Sequence, residues 1–207
     1  QKCTAVRRIM VPEKLMEDVQ IALGKRLGAT TIGDPAVDGV RMGALATKLQ
    51  VERVRRNVEL LAKSQEMVFG DLDNFDVTGA DKSHGAFFSP ILFRNDNPFT
   101  ATDVHNIEAF GPVSTLMPYK DLNEAIELTK MGKGSLVTSI VTADDTIARD
   151  FVVEAACSNG RILVLNERCA KESTGHGSPM PLLTHGGPGR AGGGEEMGGK
   201  RGVLHYL

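Results

Sequence analysis

The sequence predicts an α/β layered fold whose sheet is mostly parallel and flanked by helices, and three observations carry that expectation. Strand-like and helix-like stretches alternate along the chain, which favours α/β layering over an all-α or all-β fold. Residues 161–165 form a nearly continuous apolar run, the pattern of a parallel strand covered on both faces. The chain has 207 residues, 41% hydrophobic and 24% charged, as expected of one globular domain of ordinary size.

Taken in order, residues 5–11 are a short β-rich run interrupted by Arg7 and Arg8 and closed by Pro12. Residues 13–27 carry Leu15, Val19, Ala22 and Leu23 at helical spacing, with Gly28 as the stop. Turn residues gather at Gly33, Asp34 and Pro35. Residues 47–63 read as an amphipathic helix with Leu49, Val51, Val54, Val58 and Leu61 inward and Arg53, Arg55 and Arg56 on a solvated face. Strands are expected at 87–93 and 113–119. A helix follows at 121–131, capped by Asp121 and burying Ala125, Ile126 and Leu128. Residues 136–141 read as a strand and 144–158 as a helix that Gly160 stops, before the strand at 161–165. From Asn166 the pattern dissolves, and residues 185–202 are about half glycine. No internal repeat or linker is visible, so residues 1–207 read as one domain.

Composition excludes several functions. The net charge of −2 gives no basic field for nucleic acid or for an acidic membrane surface. No apolar run approaches the roughly eighteen residues that span a bilayer. Residues 1–8 are polar with two adjacent arginines, unlike a signal peptide. Cys3, Cys157 and Cys169 are odd in number and widely spaced, which points to a reducing, cytoplasmic setting. The chain opens without methionine, two residues before a cysteine, and reads as a processed or excised start.

Two segments carry chemistry. Cys3 precedes a charged strand; a thiol becomes nucleophilic as thiolate, near backbone N–H groups or cations. A lone cysteine is otherwise a small core residue. Downstream, Glu108-Ala109-Phe110-Gly111-Pro112-Val113 turns into a strand. Its carboxylate can accept hydrogen bonds from both hydroxyls of a ribose, and Phe110 offers an aromatic face. The plain alternative is a strand entered through a Gly-Pro turn.

Together these segments resemble the aldehyde dehydrogenase family, in which Gly-Gln-x-Cys precedes a strand and Glu-x-Phe-Gly-Pro follows at about this distance. Gly33-Asp34-Pro35 and Met42-Gly43-Ala44-Leu45 look like the loop after the family's first helix of this domain. Asn166-Glu167 and the closing Gly202-Val203-Leu204-His205-Tyr206 look like its end of domain. The run from Asn166 through Ser173-Thr174-Gly175-His176-Gly177-Ser178-Pro179, with His185 to Glu196, is similar to the dehydrogenase halves of bifunctional ring-opening enzymes of phenylacetate catabolism. It departs from the commoner Pro-Phe-Gly-Gly ending.

The resemblance implies the catalytic, C-terminal lobe of such an enzyme, covering residues 1–207, with a cofactor-binding domain upstream. Cys3 would be the nucleophile, its backbone N–H part of an oxyanion hole. Glu108 would hold the nicotinamide ribose and Phe110 would pack beside the nicotinamide of NADP or NAD, NADP being favoured. The substrate would be an aldehyde, a ring-opened CoA-thioester semialdehyde on the closest resemblance, oxidised to the acid by a homo-oligomer. The general-base glutamate and the second oxyanion donor lie upstream of Cys3 in the family, so the 207 residues alone are expected to be inactive. The rivals are a CoA-acylating dehydrogenase and a non-catalytic structural domain.

Other clusters are weaker. Asp71, Asp73 and Asp76 suggest a calcium loop, but Lys82 stands where a bidentate glutamate is needed, so a solvated acidic loop is expected. Cys157, Cys169, His176 and His185 lack zinc-site spacing, and no metal is expected. Cys157 reads as a core residue and Cys169 as a loop residue. The glycine-rich tail reads as a loop near the active-site mouth, where His185 or Arg190 could touch an acyl-CoA.

Overall fold

Pro12 ends β1 (Arg8–Pro12), and one 3-10 turn, Glu13–Leu15, leads into α1 (Met16–Gly28). The structure is a computed structural model and describes residues 1–172, 175–177, 185–194, 199–204 and 207. It divides into two units, Gln1–Lys120 and Asp121–Leu207.

In the first unit α2 (Lys48–Leu61) begins where the Thr47 hydroxyl accepts the N–H of Gln50, 3.2 Å away. Then come β2 (Glu66–Phe69), β3 (Ile91–Arg94), the single turn α3 (Asp103–Asn106) and β4 (Val113–Tyr119). The sheet order is β1-β4-β3-β2, with β1, β4 and β3 parallel and β2 antiparallel at the edge. Consecutive residues of β3 serve opposite faces, as a strand of period two requires. Phe93 joins Val54, Val58 and Val113 under α2, whereas Leu92 joins Val11, Met16 and Leu116 under α1. A strand buried on both faces must read as an apolar run, and Ile91-Leu92-Phe93 does. Arg94, next along, leaves the core to pair with Glu17 of α1 and Asp96.

Three expectations change here. Leu49 is 52% exposed, because it lies off the stripe formed by Val54, Val58 and Leu61. The strand expected at 87–93 starts only at Ile91; Pro90 brings no N–H to a ladder. Arg55 is half buried, donating to the Leu72 carbonyl and pairing with Asp73 at 2.8 Å, while Arg53 and Arg56 stay exposed.

In the second unit Asp121 caps α4 (Leu122–Lys130) by accepting the N–H of Glu124. β5 (Ser135–Val141), α5 (Asp145–Ala155), capped by Asp144, and β6 (Asn159–Leu165) follow. The two strands pair in parallel, Ser135 opposite Asn159. Ile126, Phe151 and Ala155 are buried against Ile140 and Ile162. Gly160 lies inside β6 instead of stopping a helix: a Cβ there would stand 1.7 Å from the Gly186 carbonyl oxygen, so only glycine admits that chain. Cys157 is exposed, not core, because the 3-10 turn Ala156–Ser158 after α5 rotates it outward. β7 (His185–Gly186) and β8 (Gly193–Gly194) pair antiparallel, and α6 (Gly199–Leu204) comes last among the described elements. The stretches 173–174, 178–184, 195–198 and 205–206, which carry part of the tail's family resemblance, lie outside the described residues.

Phe93 is fully buried in the central part of the sheet. Phe93→Ala is expected to lower unfolding stability by about 3–5 kcal/mol in urea titrations. A loss under about 1 kcal/mol would contradict this account of the core.

Candidate active site

Parallel neighbours run in one direction, so the segments entering them arrive at the same end of the sheet. β1 pairs with β4 with Arg8 opposite Thr115, and the Ser114 hydroxyl donates to the Val6 carbonyl just ahead of that ladder. The ladder and this bond bring the segments ahead of β1 and β4 to the same end of the sheet.

The N–H of Ala5 donates to the Lys2 carbonyl at 3.1 Å, which puts Cys3 and Thr4 at the centre of a β-turn. Thr4 is 4% exposed and anchors the turn, leaving Cys3 exposed on its outer side. Gln1 bonds in both directions: Nε2 donates to the Phe110 carbonyl (2.8 Å), and Oε1 accepts the N–H of Ala46 (2.9 Å). One amide thus joins the cysteine turn, the approach to α2 and the approach to β4.

On that last approach Ala109 is buried and its neighbours Glu108 and Phe110 are exposed. The Glu108 carbonyl accepts from Asn57 Nδ2 at 3.0 Å, while its carboxylate makes no bond among the described residues. Phe110 has φ +57°, a left-handed conformation that costs an L-residue roughly 1–2 kcal/mol. The Gln1 amide on its carbonyl helps hold it there. Gly111 follows because a Cβ would sit 2.8 and 2.9 Å from the two methyls of Val54.

Behind the cysteine turn, Arg7 donates to the Ile107 carbonyl at 3.0 Å, and Arg8 Nη1 lies 3.0 Å from His105 Nδ1. His105, 1% exposed, places Nε2 2.8 Å from the Pro98 carbonyl. Burial first, then Arg8 and Arg7, holds this imidazole below its ordinary pKa.

The structure therefore brings the Cys3 turn together with the segment carrying Glu108 and Phe110. Gln1, Asn57, Arg7, Arg8 and His105 were not singled out from the sequence as a group. The available signals were an amide two residues before the cysteine and two adjacent arginines in an otherwise apolar strand.

The weaker clusters resolve differently. Asp71 Oδ1 accepts the N–H groups of Asp73 and Asn74, which holds its carboxyl below the usual range. Lys82 donates to the carbonyls of Asp73 and Phe75 and lies 3.7 Å from the Phe75 ring centroid. Among the described residues no group of three or more His, Cys, Asp or Glu is arranged to hold a metal. None of the described helices is long and apolar enough to cross a membrane. His185 is buried with Nδ1 3.5 Å from Arg161 in the second unit, and Arg190 is exposed there. Half-buried Cys169 accepts the N–H of Asn166.

The whole chain, residues 1–207, matches the model of the aldehyde dehydrogenase family, and it belongs to that family. Protein MaoC of Klebsiella aerogenes is 50% identical over 167 residues, 80% of this chain and 48% of that protein. The 3,4-dehydroadipyl-CoA semialdehyde dehydrogenase of Aromatoleum evansii is 36% identical over 188 residues, 91% of this chain and 36% of its own length. The chain thus spans half or less of these curated relatives. An aldehyde dehydrogenase structure from Bacillus cereus superposes on all of this chain and 38% of its own with a TM-score of 0.80 at 23% identity, a likeness of fold.

His176, beside Ser139 at 2.7 Å, is also held below its ordinary pKa, by burial and then by Arg161. For both imidazoles the unfolded chain takes up the proton first. Their contribution to stability is therefore full above about pH 6.5 and is lost as pH falls from there toward the folded values. Urea midpoints are expected to be lower at pH 5.5 than at pH 7.5, the gap narrowing in His105→Gln. Equal midpoints at the two pH values would refute this assignment.

Proposed function

We propose that this chain is the catalytic domain of a longer, nicotinamide-dependent aldehyde dehydrogenase that oxidises an aldehyde to a carboxylic acid, with Cys3 as nucleophile. The observation that carries the reading is the Gln1 amide joining the exposed Cys3 turn to the loop that presents Glu108 and Phe110. An uncommitted carboxylate beside an exposed ring suits a ligand with paired hydroxyls and a flat heterocycle. Glu108 would hold the ribose hydroxyls, and Phe110 would set the plane of the nicotinamide. The cofactor, NADP in preference to NAD, would supply the hydride acceptor.

Cys3 attacks the aldehyde carbon as thiolate and forms a thiohemiacetal, whose oxyanion the Cys3 N–H helps to stabilise. Loss of the carbonyl hydrogen as hydride leaves an acyl thioester on Cys3. Water then cleaves its C–S bond, releasing the acid and restoring the thiol. The substrate proposed is a CoA-thioester semialdehyde, supported by the likeness to the 3,4-dehydroadipyl-CoA semialdehyde dehydrogenase of Aromatoleum evansii. The cysteine pattern supports a cytoplasmic setting, and family habit supports a homo-oligomer.

In the full-length protein, Cys3→Ser is expected to lower aldehyde-dependent NADPH formation by about 10⁴-fold or more, as deletion of a nucleophile does. Glu108→Gln should raise the cofactor KM about tenfold, the effect of weakening charge-assisted hydrogen bonds. Retained activity in Cys3→Ser would end the nucleophile assignment. Product analysis separates acid from a new CoA thioester, the outcome of a CoA-acylating enzyme. Residues 1–207 alone are expected to form no NADPH from aldehyde, and measurable turnover by the purified chain would overturn that.

A further inference from the structure

We propose that His105 is a positioning residue: through Arg8 it fixes the strand behind Cys3 against the loop carrying Glu108 and Phe110. The proposal rests on the assignment of those two residues to the cofactor.

The bonding determines the imidazole's state. A carbonyl oxygen only accepts, so the 2.8 Å approach of Nε2 to Pro98 puts the proton on Nε2. Nδ1 then carries a lone pair, and the guanidinium of Arg8, which can only donate, gives it a hydrogen bond at 3.0 Å. Only this neutral tautomer satisfies both partners. A second proton would point Nδ1–H at the N–H of Arg8 and set two cations in contact in a buried place.

Position gives the bond its consequence. His105 lies three residues before Glu108, on the turn α3 that delivers the cofactor loop. Arg8 lies five residues after Cys3 and opens β1. The ladder of β1 runs to β4, so it does not hold the strip 104–107. Arg7 and Arg8 supply that link, one to the Ile107 carbonyl and one to His105. Of the charged groups nearby, Arg7 and Arg8 face the ring from the β1 side, and Asp103, on its own helix, accepts a hydrogen bond from Ser64. The imidazole acts on the site through Arg8, and acid releases the link.

The test uses the full-length protein and the dissociation constant of NADPH, read by its fluorescence at pH 8 and pH 5.5. His105→Gln keeps one donor and one acceptor but does not titrate, whereas His105→Leu keeps neither. His105→Gln should bind within about threefold of wild type at pH 8, and His105→Leu about tenfold more weakly at both pH values. Between pH 8 and pH 5.5 the wild type should lose at least about threefold more affinity than His105→Gln. Wild-type affinity in His105→Leu, or one pH dependence shared by wild type and His105→Gln, overturns the proposal. Should His105→Leu fail to fold, the comparison of wild type with His105→Gln decides. Glu108→Gln separates the layers of inference. If it weakens NADPH while the His105 variants behave as wild type, the link alone is wrong. If it binds NADPH unchanged, the cofactor assignment fails and the positioning role with it.

Discussion

The parallel register of β1 against β4 is the constraint on which the rest of the candidate site depends. Cys3 and Phe110 lie more than a hundred positions apart in sequence, and no local interaction could bring them together. Pairing Arg8 with Thr115 brings the segments that precede both strands to the same end of the sheet, and the Gln1 amide joins them there. A slip of β1 by one residue would turn its side chains to the other face, moving Val11 out of the core beneath α1. Register is therefore fixed by burial on two faces, and the site inherits that precision. The arrangement also departs from the usual habit of parallel sheets, where ligands collect beyond the carboxyl ends of strands. Here the proposed site residues precede the amino ends, in loops whose backbone is not yet committed to the ladder.

Such loops need another source of rigidity, and side chains bonded to backbone supply it. Gln1 and Asn57 each place an amide on a carbonyl of the Glu108–Phe110 strip. Ala109 is buried between them, so its two neighbours are turned outward. The left-handed Phe110 carries a backbone cost, and such strain persists only where surroundings over-determine it. Val54, pressed against Gly111, belongs to the stripe of α2 that fills the core. Core packing and loop conformation are therefore one problem here.

This division explains what the sequence disclosed. The cap at Asp121 was legible because a short polar side chain before an apolar period has one common use. β4 was legible as a strand after the Gly-Pro turn, and β6 as an apolar run. The edge strand β2 was not: four residues, Glu66-Met67-Val68-Phe69, are too few to show a period. Cys3, Glu108 and Phe110 could be named through motif order, whereas the bonds of Gln1, Arg7, Arg8 and His105 depend on contacts across about a hundred residues. Cys157 and Gly160 misled for a related reason. Each was judged by its immediate neighbours, but the first was decided by a 3-10 turn and the second by a distant carbonyl.

The loop after β2 shows how far a charge pattern can be trusted. Asp71, Asp73 and Asp76 suggest a cation loop at first sight, although Phe75 stands at the fifth position, and two of the three are committed within the protein. Asp71 accepts two backbone N–H groups, and Asp73 pairs with Arg55. Lys82 donates to the carbonyls of Asp73 and Phe75, which a bound ion would otherwise draw together. An ammonium group does this with three directed donors and needs no dehydration of a divalent ion. The same residue excludes calcium by position in the sequence and by function in the fold. An acidic spacing locates charge along a chain, but the partner folded against it decides its use.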